Sequence, residues 1–312
     1  MSLHVVVGAG PTGSAVARLL AESGERVRVV SRRGAGPDHP RIERVAVDAR
    51  NVEALVEAAK GATALFNCAM PPYDQWPAEW PPLAGALLSA AERTDADYIM
   101  LGNTYGYGAV DGPITEALPM AATTVKGQVR AQMWIDALAA HQAGRVRVTE
   151  VRASEYLGAG AASLYTMLVV PAVLAGQPVS YPGDLDVPHS WSHTGDVAHT
   201  LVAASRYDGA FGRAWHVPST SDLSIRTLTA RLAEIAGTAA PALSVMSKEE
   251  LQRLGQTDPI MAEIPEMRYL YQQPHVLDST RTERELDLKP APLDDVLAET
   301  VKSATTTLRS AR

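Results

Sequence analysis

Leu3-His4-Val5-Val6-Val7-Gly8-Ala9-Gly10-Pro11-Thr12-Gly13 decides the fold. An apolar run of strand length ends in glycine, and helical spacing follows from Pro11 to Ser23, with Val16, Leu19 and Leu20 on one side. The order strand, tight turn, helix gives the Gly-x-Gly-x-x-Gly pattern a context that a bare glycine repeat lacks. Gly8 permits the turn, Gly10 lets another group approach the backbone, and Gly13 lets the helix lie close to the strand, helped by small Ala17. The helix N-terminus that follows offers free amides, beyond Pro11, and a partial positive charge. Such a turn is a pyrophosphate cradle.

Working outward, Val27–Val30, Val45–Val47, Ala64–Asn67, Tyr98–Leu101 and Val146–Val151 are further strand candidates. Helical stretches at Val52–Ala59, Leu83–Arg93 and Val125–His141 lie between them. This alternation predicts an α/β protein: a doubly wound parallel Rossmann sheet covered on both faces, with a smaller C-terminal substrate lobe. The nucleotide-binding domain is expected over 1–152. The lobe takes 153–312, with helices at Ala162–Leu174, Asp196–Ser205, Ile225–Ala236 and Leu293–Thr306. A segment near 188–218, including the strand candidate Ala214–Val217, returns to the first domain. Two proline-rich stretches, Met70–Pro82 with Trp76 and Trp80, and Tyr181–Trp191, read as loops over the carboxyl edge of the sheet or as rigid surface loops.

The end of the second strand sets the cofactor preference. An NAD site usually carries a carboxylate there to hold the ribose hydroxyls. Here the chain reads Ser31-Arg32-Arg33. Guanidinium groups pair with a 2′-phosphate that a carboxylate would repel, so NADP(H) is favoured over NAD(H); the competing reading is two solvated arginines. Asp48, after the third strand, is placed to reach the adenine amino group. Cys68 and Ala69, after the fourth, are placed to line the cofactor, Cys68 as a small buried wall residue.

These landmarks resemble the extended short-chain dehydrogenase/reductase family, in its NAD-dependent epimerase/dehydratase group. The resemblance covers roughly residues 3–220. It includes Tyr105–Gly108 after the fifth strand, Pro113-Ile114-Thr115-Glu116, Arg152–Gly160 after the sixth, and Trp191–Ala198 ending in Asp-Val-Ala. It implies a Tyr-x-x-x-Lys helix whose lysine binds the nicotinamide ribose and lowers the tyrosine pKa. Lys126 fits the lysine, with Gly127 after it and Arg130 one turn on, but the tyrosine position holds Ala122. The polar residue that polarises the substrate falls on Asn103 or slips to an apolar neighbour. A proton donor must therefore come from elsewhere: Thr104, Tyr105, Tyr107, Thr123 or Tyr156 by position, with Glu155 and His193 also able to transfer protons. Each is alternatively a pocket wall.

The chain has 312 residues, 46% hydrophobic and 20% charged, with a net charge of −7 and a single cysteine. That charge argues against a broad nucleic-acid or anionic-membrane surface, and one cysteine excludes an internal disulfide. No apolar run at the start is long enough for a signal peptide or a span, so a cytoplasmic location is expected. His189 and His193 are four apart, yet Pro188 argues for a loop and no third ligand is near, so no metal site is expected. Trp191 caps the pocket or fills the core; Met261–Tyr271 closes over a substrate or packs on the lobe as a helix. Together the resemblance and the residues imply an NAD(P)-dependent oxidoreductase or epimerase-like enzyme that acts on a small polar carbonyl, imine or sugar-like substrate. The resemblance also implies a homodimer. The alternative is a non-catalytic NADP(H)-sensing regulatory protein, which the missing tyrosine favours.

Overall fold

The structure, a computed structural model, describes residues 2–310. Its first half runs β1 (Leu3–Val7), α1 (Pro11–Glu22), β2 (Arg26–Ser31), β3 (Ile42–Ala46), α2 (Val52–Ala59), β4 (Ala64–Asn67), α3 (Trp76–Thr94), β5 (Asp97–Asn103), α4 (Val125–Gln142) and β6 (Val148–Ala153). The second half continues with β7 (Glu155–Leu157), α5 (Val170–Ala175), β8 (Val179–Tyr181), β9 (Trp191–His193), α6 (Thr194–Arg206), β10 (Arg213–His216), α7 (Ile225–Ala236) and β11 (Leu243–Val245). It closes with α8 (Lys248–Gly255), α9 (Pro259–Met267), α10 (Tyr269–Gln272), α11 (Thr280–Glu285) and α12 (Leu293–Ser310). A seven-stranded sheet has the order β10-β6-β5-β4-β1-β2-β3, and every pairing in it is parallel. The doubly wound sheet expected from the sequence is therefore present.

Alternation along β1 sends Val5 and Val7 to one face and Val6 to the other. The first face packs on α2, α3 and α4 through Leu55, Leu83, Leu87 and Trp134; the second packs on α1 and α6 through Val16, Leu20, Val197 and Leu201. A separate apolar cluster holds the second half together, built on Tyr165, Trp191, Leu228, Met267 and Leu297. Trp191 fills that cluster: it is fully buried, its indole donates to Leu223 O at 2.8 Å, and its ring meets Tyr165 edge-on.

Met70–Pro82 is not a free loop, because α3 begins at Trp76 and carries Pro81 and Pro82 inside it. All three prolines of this turn, Pro77 included, lie exposed, while Trp76, Trp80, Leu83, Leu87 and Ala90 form a buried stripe. Carbonyls that lose a donor to proline on the outer face can bond water, so the helix survives.

Register brings the functional residues to one edge. Val7 pairs with Val30 and Asn67, so Gly8, the Arg32 turn and Cys68 leave the sheet side by side. Asn103 pairs with Ala153, which puts Thr104 and Glu155 at the same edge further along. Among the described residues no helix is long and apolar enough to cross a membrane.

Candidate active site

At the first end of this edge, Gly8 adopts φ +109°, a conformation that disfavours any side chain. A Cβ there would stand 2.4 Å from Cys68 O, and one on Gly13 would stand 2.0 Å from Gly8 O. Gly10, the extended N-cap of α1, is different: no atom lies within 4 Å of where its Cβ would be. The turn is thus closed behind and open in front. The space before it is a cleft of about 360 Å³ whose walls include Gly8, Gly10, Ser31, Arg32, Arg33 and Asp48. Cys68 and Ala69 form its inner side, while Pro11, Thr12 and Gly13 make the first turn of α1 behind it. Burial pushes the Cys68 thiol up to about 12, so it is a wall and not a thiolate.

Arg32 and Arg33 are exposed and form no hydrogen bond or ion pair with a described residue. Asp48 is already engaged. Arg50 holds it through Nε at 3.1 Å and Nη2 at 2.7 Å while its Nη1 reaches Glu79 at 2.8 Å, which keeps the Asp48 carboxyl below its ordinary range. Arg50 was not singled out from sequence; its signal was the Asp-x-Arg spacing after β3.

Ala69, Met70 and Pro71 also wall a second cavity, of about 310 Å³, which continues the cleft. Asn103, Thr104, Tyr105 and Tyr156 all line it. Asn103 Oδ1 accepts from the Tyr105 amide at 3.2 Å. Thr104 Oγ1 lies 2.9 Å from His275 Nε2, and the Tyr105 hydroxyl lies 3.3 Å from that of Tyr73. Burial raises the pKa of both Tyr105 and Tyr156, and lowers those of His189 and His275 to about 4 and about 3. Tyr107 belongs elsewhere, in a buried network with Arg152 Nη1 at 2.6 Å and His216 Nε2 at 2.7 Å. Thr123 is exposed, and His193 faces Glu299 at 2.8 Å; neither lines the cavity. Among the described residues no three His, Cys, Asp or Glu side chains are grouped to hold a metal.

Lys126 lines neither cleft, although its Nζ lies 5.0 Å from the ring centre of Tyr73, which does line the cavity. It is 1% exposed, its Nζ is paired with Glu263 and, at 3.1 Å, with Glu266 of α9, and its amide donates to Glu266 at 2.9 Å. The cause is packing of α9 over the start of α4, which no local pattern announces. Ala122 precedes that helix, whose N-cap is Thr124, so the residues one turn apart on it are Lys126 and Arg130. Arg130 does line the cavity. Its Nη2 donates to Leu101 O at 2.6 Å, its guanidinium lies 5.0 Å from the Trp80 ring and 5.9 Å from that of Trp76, and its buried Nε has no partner.

Glu155 also lines the cavity and is the only carboxylate there among the described residues. Tyr271 Oη donates to it at 3.3 Å, and burial pushes its carboxyl up to about 7. Tyr271 and Leu270 of α10, with Ile260 and Ile264 of α9, complete the wall, so Met261–Tyr271 both packs on the lobe and covers the cavity. A raised acid pKa means that the folded state keeps its proton longer, so stability falls as pH rises from about 4.5 to about 7. Glu155→Gln is therefore expected to stabilise the protein at pH 8 by up to roughly 3 kcal/mol and to change little at pH 4, as read from urea midpoints. Equal midpoints for the two proteins at pH 8 would contradict that surrounding.

A parallel doubly wound sheet, a glycine turn at its switch edge and a covered cavity beside it define a Rossmann-type protein with an appended lobe. The sequence profile of the NAD dependent epimerase/dehydratase family matches residues 4–217, and the chain belongs to that family. Solved structures agree in fold. The chain is similar to dTDP-glucose 4,6-dehydratase from Bacillus anthracis in complex with NAD, with 16% identity, TM-score 0.78 and coverage of 99% and 98% of the two chains. It is similar to a dTDP-glucose 4,6-dehydratase double mutant from Streptomyces venezuelae, with 23% identity, TM-score 0.78 and coverage of 98% and 97%. UDP-glucose 4-epimerase from Thermotoga maritima gives 18% identity, TM-score 0.79 and coverage of 99% and 100%. No curated protein matches the chain significantly in sequence.

Proposed function

We propose that the chain is an NADP(H)-dependent oxidoreductase or epimerase-like enzyme. Residues 1–152 would hold the cofactor, and 153–312, except for the segment returning near 188–218, would cover the substrate. One observation carries this reading: an open glycine cradle leads past two uncommitted guanidinium groups at one end and into a cavity of proton-bearing side chains at the other. Gly8, Gly10 and Gly13 would hold the pyrophosphate at the amide-bearing start of α1. Arg32 and Arg33 would take the 2′-phosphate, and Ser31 the adenosine ribose. Asp48 would receive the adenine edge beside Arg50, and Cys68 and Ala69 would floor the passage. The cofactor supplies hydride transfer at its nicotinamide. The protein supplies orientation and proton exchange.

Arg130 is proposed to do at the nicotinamide end what the resemblance assigned to Lys126, because Arg130 faces the cavity with a free Nε. Asn103, Thr104 and Tyr105 would orient the substrate oxygen, with Tyr156 against the nicotinamide. Glu155 is the group best suited to exchange a proton near neutrality. Contact between two copies through α4, which exposes Val125 and Ile135, would make the homodimer.

Some solved neighbours carry NAD, so the preference for the phosphorylated cofactor rests on Arg32 and Arg33 alone. Arg32→Ala/Arg33→Ala is expected to weaken NADPH binding by at least about 100-fold and NADH binding by less than about threefold in calorimetric titration, as loss of paired phosphate contacts implies. Equal losses would defeat the phosphate assignment. Stopped-flow oxidation of bound NADPH with carbonyl and imine compounds tests catalysis. A second reading, a nucleotide sensor without turnover, draws on Ala122 having no transferable proton and on Lys126 being tied to α9. Tight NADPH binding with no oxidation by any compound would favour it.

A further inference from the structure

We propose that the cavity at the inner end of the cleft takes a small, uncharged, ring-bearing molecule whose neutral oxygen meets Glu155, and that a diphosphate-linked sugar is not its ligand. This rests on the cavity being the substrate end of the proposed enzyme. Charge limits what the cavity can hold. Among the described residues, Arg130 and Glu155 alone carry a formal charge in the lining, and they oppose each other in sign. Arg130 keeps its Nε free, while its Nη2 donates to Leu101 O and its guanidinium lies near the rings of two tryptophans. His189 and His275 stay neutral at physiological pH, because burial holds both well below their ordinary range. A doubly charged diphosphate buried here would meet one partly used cation and one carboxylate, which its desolvation cost does not allow.

The chemistry of the lining points the same way. Tyr73, Trp76, Tyr105, Tyr156 and Tyr271 line the space, and aromatic side chains favour stacking of another ring. A volume of about 310 Å³ accommodates a single ring at this inner end. Among the described residues Glu155 has Tyr271 as its one hydrogen-bond donor and no cation as partner, so its second oxygen is available to a ligand. The titratable groups facing it are the phenols of Tyr73, Tyr105, Tyr156, Tyr181 and Tyr271, all neutral, with Arg130, His189 and His275 on the same cavity. Protonated, Glu155 donates to a carbonyl; ionised, it cannot.

Tryptophan fluorescence and calorimetry on the full chain, with and without NADPH, test this using cyclohexanone, 2-cyclohexen-1-one, benzaldehyde and UDP-glucose as probes. At least one neutral ring compound should bind at least about tenfold more tightly than UDP-glucose, and about tenfold more tightly at pH 6 than at pH 8.5. In Glu155→Gln that pH dependence should vanish, since an amide donates at both pH values; Tyr271→Phe should keep it with the midpoint moved. Tighter binding of UDP-glucose, no binding by any ring compound at millimolar concentration, or an unchanged pH profile in Glu155→Gln would each overturn the proposal. Ring compounds that bind while NADPH does not would sink the cofactor reading and leave this one standing. NADPH binding with UDP-glucose as the preferred probe would do the reverse.

Discussion

Lys126→Met is expected to lower the unfolding free energy by about 3 kcal/mol, toward the low end of what breaking a buried ion pair costs. The ammonium is almost wholly buried between Glu263 and Glu266, each about a quarter exposed, and removal of the cation leaves two carboxylates facing one another. Partial access to water moderates their repulsion, which is why the upper end of the range is not expected. The same contact ties α9 to the start of α4, and α9 supplies Ile260 and Ile264 to the cavity wall. Loosening it should therefore also weaken binding in the cavity. Urea unfolding of Lys126→Met, of Glu263→Gln/Glu266→Gln and of the triple variant separates charge from packing. The triple variant should recover part of the loss, because no unpaired charge remains. A change in the single variant below about 0.5 kcal/mol would show that the ion pairs do not hold α9 down.

Gly13→Ala and Gly10→Ala should behave in opposite ways although both lie in the same turn. A methyl group on Gly13 would stand 2.0 Å from the Gly8 carbonyl oxygen, a backbone atom with no free direction to move, since Gly8 itself lies against Cys68. Displacing α1 from β1 should cost at least about 3 kcal/mol by overpacking and lower NADPH affinity at least about 100-fold. Gly10→Ala meets nothing within 4 Å and keeps an ordinary φ of −70°, so the ligand-free protein should melt within about 0.5 kcal/mol of the parent. Its NADPH affinity should nonetheless fall at least about tenfold, because the methyl group would stand where the pyrophosphate approaches. Thermal melts of the free proteins and calorimetric titration with NADPH give both numbers. If Gly10→Ala bound NADPH as well as the parent does, the turn would not be the pyrophosphate cradle.

The cofactor end and the cavity end differ in how far they could be read along the chain. At the glycine turn, the requirement is steric and local: residues 8 to 13 touch each other and the strand they leave. Arg32, Arg33, Asp48 and Cys68 follow strand ends, and parallel pairing in register brings such ends together. The Trp76 to Ala90 stripe had the spacing of a helix, but three prolines masked it. Only their common exposure on the outer face shows why the helix tolerates them. Glu155 and Tyr156 could be placed near the edge, yet their surroundings could not be derived, because Tyr271, His189 and His275 come from distant segments.

Local patterning by itself determined the parallel sheet, the turn that closes behind Gly8, and the two arginines beside it, since each depends on neighbours within one strand-turn-helix unit or on alternation along it. Tertiary structure alone decided that Lys126 meets Glu263, 137 residues away, that Arg130 turns to the cavity, and that one unpaired carboxyl sits among tyrosines. Those pairings arise from how α9 and α10 settle on the carboxyl edge of the sheet. Burial and desolvation are properties of that packed arrangement and not of any stretch of chain.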